Sequence, residues 1–104
     1  MSNQEAFEKI AEELAALGVV GSKMFGMPVW KLEGKALGGP WQDDMVFKLD
    51  GAVLEKALKL PGAKQFDPMG GRPMKQWVQL GPDHQDKWLH FAEAAAKGLL
   101  KETG

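Results

Sequence analysis

Side chains that could do chemistry are few in this chain, and their spacing is unfavourable. There is no cysteine and no tyrosine, and the hydroxyl side chains are Ser2, Ser22 and Thr103. A serine nucleophile needs a base within hydrogen-bond reach, and no residue near Ser22 in the sequence supplies one. The composition therefore excludes thiolate catalysis and cysteine-ligated zinc or iron–sulfur sites, and it leaves almost no candidate nucleophile.

The histidines and paired carboxylates also lack the spacing that catalysis or metal binding needs. His84 and His90 are six residues apart on one predicted helix, whereas a helical metal pair needs a spacing of three or four. Asp86 and His90 do have that spacing, but an exposed charge pair is its commoner explanation. Asp43 and Asp44 are neighbours, and neighbouring side chains on an extended chain point to opposite faces. We therefore predict no catalytic residue, no metal and no cofactor.

Two segments remain as candidates for anion binding. Gly70-Gly71-Arg72-Pro73 could form a nest of backbone amides, but it lacks the lysine-serine ending of a P-loop, so a plain glycine turn is favoured. A basic stretch lies around it, with Trp77 as a candidate stacking platform for nucleic acid. This stretch contains Lys56, Lys59, Lys64, Arg72 and Lys75. Because Arg72 is the only arginine and the net charge is −1, sequence-specific DNA reading is disfavoured, and a solvated face is the commoner explanation.

Trp41 differs in context from the other three tryptophans. It follows Gly38-Gly39-Pro40, which we expect to end a strand, because proline cannot donate to a ladder. The segment from Gly38 to Asp44 is therefore predicted to be a loop between strands. An aromatic side chain in such a loop is either tucked over a sheet edge or presented to a partner as an anchor.

Hydrophobic periodicity and turn signals indicate the elements that position these residues. Ser2 and Glu5 have the spacing of a capping box, and Gly18 supplies a left-handed stop for the first helix. The apolar stripe of that helix consists of Phe7, Ile10, Leu14 and Leu17. Glu33-Gly34 is a two-residue turn of the kind that hairpins favour. Met45 to Leu49 alternates as a strand with one apolar face.

The second half of the chain repeats this alternation of helix and strand. A short helix is predicted from about Ala52 to Leu60 with Asp50 as its cap, a strand from Met74 to Leu80, and a last helix after Gly81-Pro82-Asp83. The order is helix, three strands, helix, one or two strands, helix. This order predicts a two-layer α+β fold, an antiparallel sheet of four to five strands with helices on one face.

Length and terminal composition set the remaining expectations. A chain of 104 residues is expected to form one domain over residues 1–104, since two halves would each be too small for a stable apolar core. No apolar run approaches the roughly 20 residues that span a bilayer, and the first residues are polar and acidic. We therefore expect a cytoplasmic protein without membrane association.

Five segments, taken in order, resemble a known family. The chain carries Met24-Phe25-Gly26 after the first helix, Glu33-Gly34-Lys35 at the hairpin, Met45-Val46-Phe47-Lys48-Leu49 as the central strand, Phe66-Asp67-Pro68-Met69-Gly70-Gly71-Arg72-Pro73-Met74-Lys75-Gln76-Trp77, and Trp88 and Ala92 in the closing helix. Over roughly residues 3 to 100 this pattern resembles the N-terminal domain of the TfoX/Sxy family, whose founding members regulate natural competence in bacteria.

The resemblance implies a fold close to YjbR-like and secretion-chaperone-like proteins, a link to transcriptional regulation, and no catalytic set. It assigns structural roles to Gly26, Gly34, Phe25, Phe47, Pro73 and Trp77. Since the chain ends at Gly104, we expect it to lack the C-terminal helical domain of full-length regulators, which weakens the link to competence.

These observations together favour a non-enzymatic regulatory or protein-binding domain. The expected partner is a protein, either a second copy of the chain or a component of the transcription machinery. The predicted contact surface consists of Lys64, Arg72 and Lys75, with Trp41 second. The alternative is a nucleic-acid-associated module that binds the phosphate backbone through the same basic stretch, with steep salt dependence.

Overall fold

Three helices and six strands make up the computed structural model, which describes residues 3–24, 26–67, 70–71 and 74–103. The helices are α1 (Asn3–Leu14), α2 (Gly51–Leu58) and α3 (Gln85–Thr103). The strands are β1 (Val20–Met24), β2 (Met27–Leu32), β3 (Lys35–Trp41), β4 (Asp44–Lys48), β5 (Lys64–Phe66) and β6 (Met74–Leu80). Short 3₁₀ turns follow α1 at Ala15–Leu17 and precede α3 at Pro82–His84.

The strands form one antiparallel sheet in the order β1-β2-β3-β4-β6-β5. Consecutive hairpins join the first four strands, and α2 connects β4 to β5 so that β6 lies beside β4. The predicted α+β class is confirmed. The sheet has one strand more than the upper expectation of five, because four strands rather than three precede α2 and the short Lys64–Phe66 segment pairs with β6.

Local signals correctly placed the stop after α1, the N-cap of α2 and the hairpin between β2 and β3. Gly18 caps the turn after α1 in the left-handed conformation, with a φ of 97°. Glu33 and Gly34, with φ of 52° and 80°, form the turn between β2 and β3, and a type I′ turn requires positive φ at both positions. Asp50 occupies the N-cap of α2, although its side chain makes no capping hydrogen bond. The predicted capping residue Ser2 lies outside the described residues.

Strand β3 corrects one prediction. It continues through Gly38, Gly39 and Pro40 to Trp41, so the strand does not end at the glycines and Trp41 is not in a loop. A side chain at Gly38 would overlap the Val46 carbonyl of β4, and one at Gly39 would overlap the carbonyl of Pro28 in β2. Glycine therefore lets β3 approach both neighbours closely. Beyond Gly38 the register with β2 ends while pairing with β4 continues, and proline is tolerated where a strand pairs on one side only.

All three helices pack on one face of the sheet, where the main core lies. Trp30 occupies its centre, stacked between Phe7 of α1 at 5.0 Å and Phe47 of β4 at 6.0 Å between ring centroids. Its indole Nε1 donates a hydrogen bond of 3.0 Å to the Phe7 carbonyl. The core continues through Phe91 of α3, whose ring centroid is 6.0 Å from that of Phe47. The expected one-sided arrangement of helices is therefore observed.

The opposite face of the sheet holds a smaller apolar cluster built from strand residues alone. Its buried members are Met27, Val29, Val46, Phe66 and Trp77, and its partly buried members are Ala36, Trp41 and Met74. Strand alternation explains the division: Met45, Phe47 and Leu49 join the main core, while Val46 between them joins this cluster. In the described part of the chain, no helix combines the length and apolar character needed to cross a membrane.

Candidate partner-binding face

The surface of the sheet that carries no helix, here the helix-free face, can be followed from edge to edge. Residues directly opposite each other on antiparallel strands share a face. Val20 of β1 lies opposite Lys31 of β2, and Lys31 lies opposite Ala36 of β3. At the other side of the sheet, Gln79 of β6 lies opposite both Val46 of β4 and Lys64 of β5. The face is formed by Val20, Ser22, Met27, Val29, Lys31, Ala36, Trp41, Asp44, Val46, Lys48, Lys64, Phe66, Trp77 and Gln79.

Trp41, the last residue of β3, is half-buried at the rim of the small apolar cluster. Its ring meets Phe66 edge-on, with 5.2 Å between centroids, and Phe66 in turn lies 6.0 Å from Trp77. Of the two alternatives open for Trp41, the structure shows an aromatic side chain packed on the sheet, with part of its surface accessible. Trp41 therefore combines a fixed position with partial exposure, as an interface anchor requires.

Trp77 does not supply a stacking platform for nucleic acid. Its side chain is only 6% exposed and belongs to the small apolar cluster. Base stacking needs an accessible ring face, which a ring buried in this way does not offer. The interpretation of Trp77 as a residue packed across strands is the one observed.

The predicted basic stretch is divided by the fold. Lys64 and Lys75 are exposed and lie on the paired strands β5 and β6, where Gln65 Nε2 donates a 3.3 Å hydrogen bond to the Lys75 carbonyl. Lys56 and Lys59 are also exposed, but they belong to α2 and its C-cap, on the side of the sheet that carries the helices. The predicted contact residue Arg72 lies outside the described residues.

Two residues of the helix-free face were missed by sequence reasoning. Val20 is 59% exposed on the edge strand β1, and Lys31 is half-buried on β2 beside it. Both lie more than thirty positions from Lys64 in the sequence, so counting charge by segment did not connect them. The alternation in Val29-Trp30-Lys31-Leu32 could have predicted the position of Lys31, because it places Lys31 on the sheet face opposite to that of the buried Trp30 and Leu32.

Charge is unevenly distributed between the two sides of the molecule. Among its described residues, the helix-free face presents Lys31, Lys48 and Lys64 and one carboxylate, that of Asp44, which accepts a 2.5 Å hydrogen bond from Gln79 Nε2. The helical side carries an acidic α1 whose exposed residues include Glu5, Glu8, Glu12 and Glu13. The sheet side is therefore the electropositive surface of the described structure, which favours an acidic partner.

The backbone amides of Gly70 and Gly71 already bind a carboxylate of the chain itself. The backbone amide of Gly70 donates a 2.8 Å hydrogen bond to Asp67 Oδ1, and that of Gly71 donates one of 2.8 Å to Asp67 Oδ2. Backbone amides in consecutive glycines are the groups that an anion nest offers. Because Asp67 already accepts from both, these two amides stabilise the turn, in agreement with the favoured interpretation of the segment.

The histidines have structural surroundings. His84 is buried, and its Nε2 donates to the Pro61 carbonyl over 2.7 Å, since a carbonyl oxygen can only accept. This bond links the turn before α3 to the loop after α2. His90 is exposed with its ring edge-on to Phe91, and Asp86 pairs with Lys87 at 3.4 Å instead of with His90.

The aspartates Asp43 and Asp44 and the hydroxyl of Ser22 also occupy structural positions in the sheet and its turns. Asp43 is an exposed turn residue, and the Asp44 carbonyl accepts from Asn3 Nδ2 at 3.1 Å. Ser22 lies half-buried on β1 opposite Val29. Among the described residues, no three side chains of the His, Cys, Asp or Glu type are grouped closely enough to hold a metal ion.

The chain was compared with models of protein families, with curated proteins and with solved structures, and none of them matches it. Its function must therefore be inferred from the chemistry of the surfaces described above.

Proposed function

We propose that this chain is a non-enzymatic, cytoplasmic protein-binding domain that recognises an acidic protein partner through the helix-free face. The observation that carries the proposal is the combination on one open sheet face of a partly exposed aromatic side chain, Trp41, with lysines from three strands. Interfaces typically surround aromatic anchors with a polar rim. Lysine is depleted at interface centres but suits such a rim, where it steers an acidic partner.

The resemblance to the TfoX/Sxy family supports a regulatory role for this binding. It would place the acidic partner in the control of transcription. The proposal needs no catalytic residue, because a regulatory domain acts by occupying its partner's surface.

A protein partner is favoured over nucleic acid by the state of the aromatic rings. Trp77 and Phe66 are buried, and the Trp41 ring packs edge-on against Phe66. Single-stranded nucleic acid is bound by stacking on free ring faces, and bases in a duplex are most often read by the bidentate guanidinium of arginine. The basic residues that the structure describes on the helix-free face are lysines, which fit the rim of a protein interface.

A paired charge reversal tests the surface. The variant Lys31→Glu/Lys64→Glu changes two lysines of the helix-free face, on β2 and β5, and its matched control Lys56→Glu/Lys59→Glu makes the same change of charge on the helical side. A protein captured from nuclease-treated lysate of the source cells would be purified and titrated by calorimetry with each variant. We expect the first variant to weaken binding at least about tenfold and the control by less than about twofold.

Site-specific cross-linking locates the contact independently of charge. A photoreactive amino acid at Ser22 on the helix-free face should cross-link to the acidic partner, whereas one at Leu89 of α3 should not. If capture disappeared with nuclease or fell steeply with salt, the partner would be a nucleic acid bound through its phosphate backbone, and not a protein. Cross-links from Leu89 alone would move the interface to the helices, and cross-links between copies of the chain would identify the partner as a second copy.

A further inference from the structure

A cleft of about 320 Å³ lies where β3 and β4 separate, beneath the C-terminal half of α3. Its walls come from β3 and β4, from the start of α2, from β6 and from α3. The residues that line it are Ala36, Leu37, Lys48, Leu49, Asp50, Val53, Gln76, Ala94, Ala95, Lys97, Gly98, Leu99 and Lys101. This volume is at the lower end of the range for small-molecule sites.

Positive charge predominates around the cleft. Three lysines, Lys48, Lys97 and Lys101, line the cleft together with one acidic residue, Asp50. Lys97 is engaged, since its Nζ donates over 2.8 Å to Glu93 Oε1, and this hydrogen bond and charge lower the pKa of Glu93. Lys48 and Lys101 form no ion pair with any described residue. The cleft therefore has more lysines than carboxylates among its lining residues, which favours an anion.

The floor of the cleft is apolar. Leu37, Leu49 and Leu99 are buried core residues, and Ala95 beside them is buried as well. A ligand that satisfies both parts of the cleft needs an anionic end for the lysines and a hydrocarbon part for the leucines. Burying the hydrocarbon part contributes affinity, and the charged end sets orientation.

Gly98 keeps the cleft open in the middle of α3. Glycine in a helix interior is less favourable than alanine. The nearest atom to a Cβ placed there would be Asp50 Oδ1, at 3.8 Å, an ordinary contact. Packing therefore does not require glycine at this position. A larger side chain would instead fill the space between α3 and the start of α2.

From these features we infer that the cleft binds a small amphipathic organic anion, a carboxylate carried on a short hydrocarbon chain. This ligand site goes beyond the proposed function; it shares Ala36 and Lys48 with the helix-free face, but Asp50, Gly98 and Lys101, whose variants test it, lie outside that face. Lys97 and Lys101 belong to α3, whereas partner binding was assigned to the helix-free face. Loss of one activity therefore leaves the other testable.

Octanoate is a suitable probe, with octanamide as its neutral counterpart. The full chain, isotope-labelled for NMR, would be titrated with each compound and with inorganic phosphate. We expect octanoate to give saturable shifts centred on the amides of Leu49, Asp50 and Gly98. Octanamide should bind at least about tenfold more weakly, because it lacks the charge, and phosphate should produce no saturable shift there, because it lacks the apolar part.

Variants that are expected to change octanoate affinity in opposite directions distinguish a specific site from nonspecific adsorption. Lys101→Gln should weaken octanoate binding about fivefold or more, whereas Asp50→Asn should strengthen it by removing repulsion. Gly98→Leu should abolish binding by filling the cleft, and Lys9→Gln on α1 is the control that leaves affinity unchanged. Equal binding of octanamide, weaker binding by Asp50→Asn, or no saturation by about 10 mM octanoate would overturn the inference. If Gly98→Leu fails to fold, the two charge variants decide the matter.

Discussion

Two buried tryptophans differ in one hydrogen bond. Trp30 and Trp88 are 0% and 1% exposed, respectively. Trp30 Nε1 donates to the Phe7 carbonyl, whereas Trp88 Nε1 is buried without a partner in the described structure. A buried donor that is unpaired has lost its hydration without replacement, so removing it costs little.

Replacement of each indole by phenylalanine measures this difference. We expect Trp30→Phe to lower the free energy of unfolding by about 2 to 3 kcal/mol, through the lost hydrogen bond and the cavity left behind. Trp88→Phe removes a similar volume but relieves an unpaired donor, so its cost should be smaller by at least about 1 kcal/mol. Urea unfolding followed by circular dichroism would measure both. Equal costs would mean that the Trp30 hydrogen bond contributes nothing net.

At the scale of elements, close approach of backbones fixes the geometry of the central strands. A side chain at Gly39 would overlap the Pro28 carbonyl, so Gly39→Ala should force β2 and β3 apart and cost more than about 2 kcal/mol of stability. Gly21→Ala is the matched control. At Gly21, in β1, the nearest atom to a Cβ would be a Phe7 ring carbon at 4.0 Å, and alanine there should be neutral or stabilising by up to about 1 kcal/mol. Thermal unfolding of the two variants compares them directly, and tolerance of alanine at position 39 would contradict the close approach.

The same glycines mark where prediction from sequence failed. Periodicity and caps predicted all three helices, the β2–β3 turn and the alternation of β4, because those signals are local. Gly38-Gly39-Pro40 resembles a strand ending in local terms, yet β3 continues through it. The reason is nonlocal: the strands on both sides approach too closely for side chains, which no window of sequence reveals.

The residues of the helix-free face likewise divide into those that the sequence could predict and those that it could not. Lys64 could be singled out by composition, since it lies in a basic stretch. Lys31 could not, because only the pairing of β2 with β1 and β3 places it on the same face. The face on which Trp41 lies could not be predicted either. It depends on the continuation of β3 to position 41 and on the packing of the Trp41 ring against Phe66, twenty-five residues later in the sequence.

At the scale of the whole molecule, the sheet separates a large core from a small one. The main core joins all three helices to the sheet, whereas the cluster on the helix-free face contains strand residues alone. Strand β4 lies between β3 and β6 and contributes to both clusters, while β5 is a three-residue edge strand anchored mainly by Phe66. Unequal burial of this kind predicts unequal local stability, because regions with few apolar contacts open without global unfolding.

Native-state hydrogen exchange can measure this gradient. We expect the β4 amides to exchange only through global unfolding and the β5 amides through a local opening of lower free energy. Trp41→Ala removes the ring that packs on Phe66, so it should reduce β5 protection by about tenfold relative to β4, since each tenfold corresponds to about 1.4 kcal/mol. Leu89→Ala, an exposed apolar truncation on α3, is the control that leaves this ratio unchanged. If Trp41→Ala lowered protection equally in both strands, the helix-free cluster would unfold together with the main core, and Trp41 would stabilise the whole sheet instead of its edge.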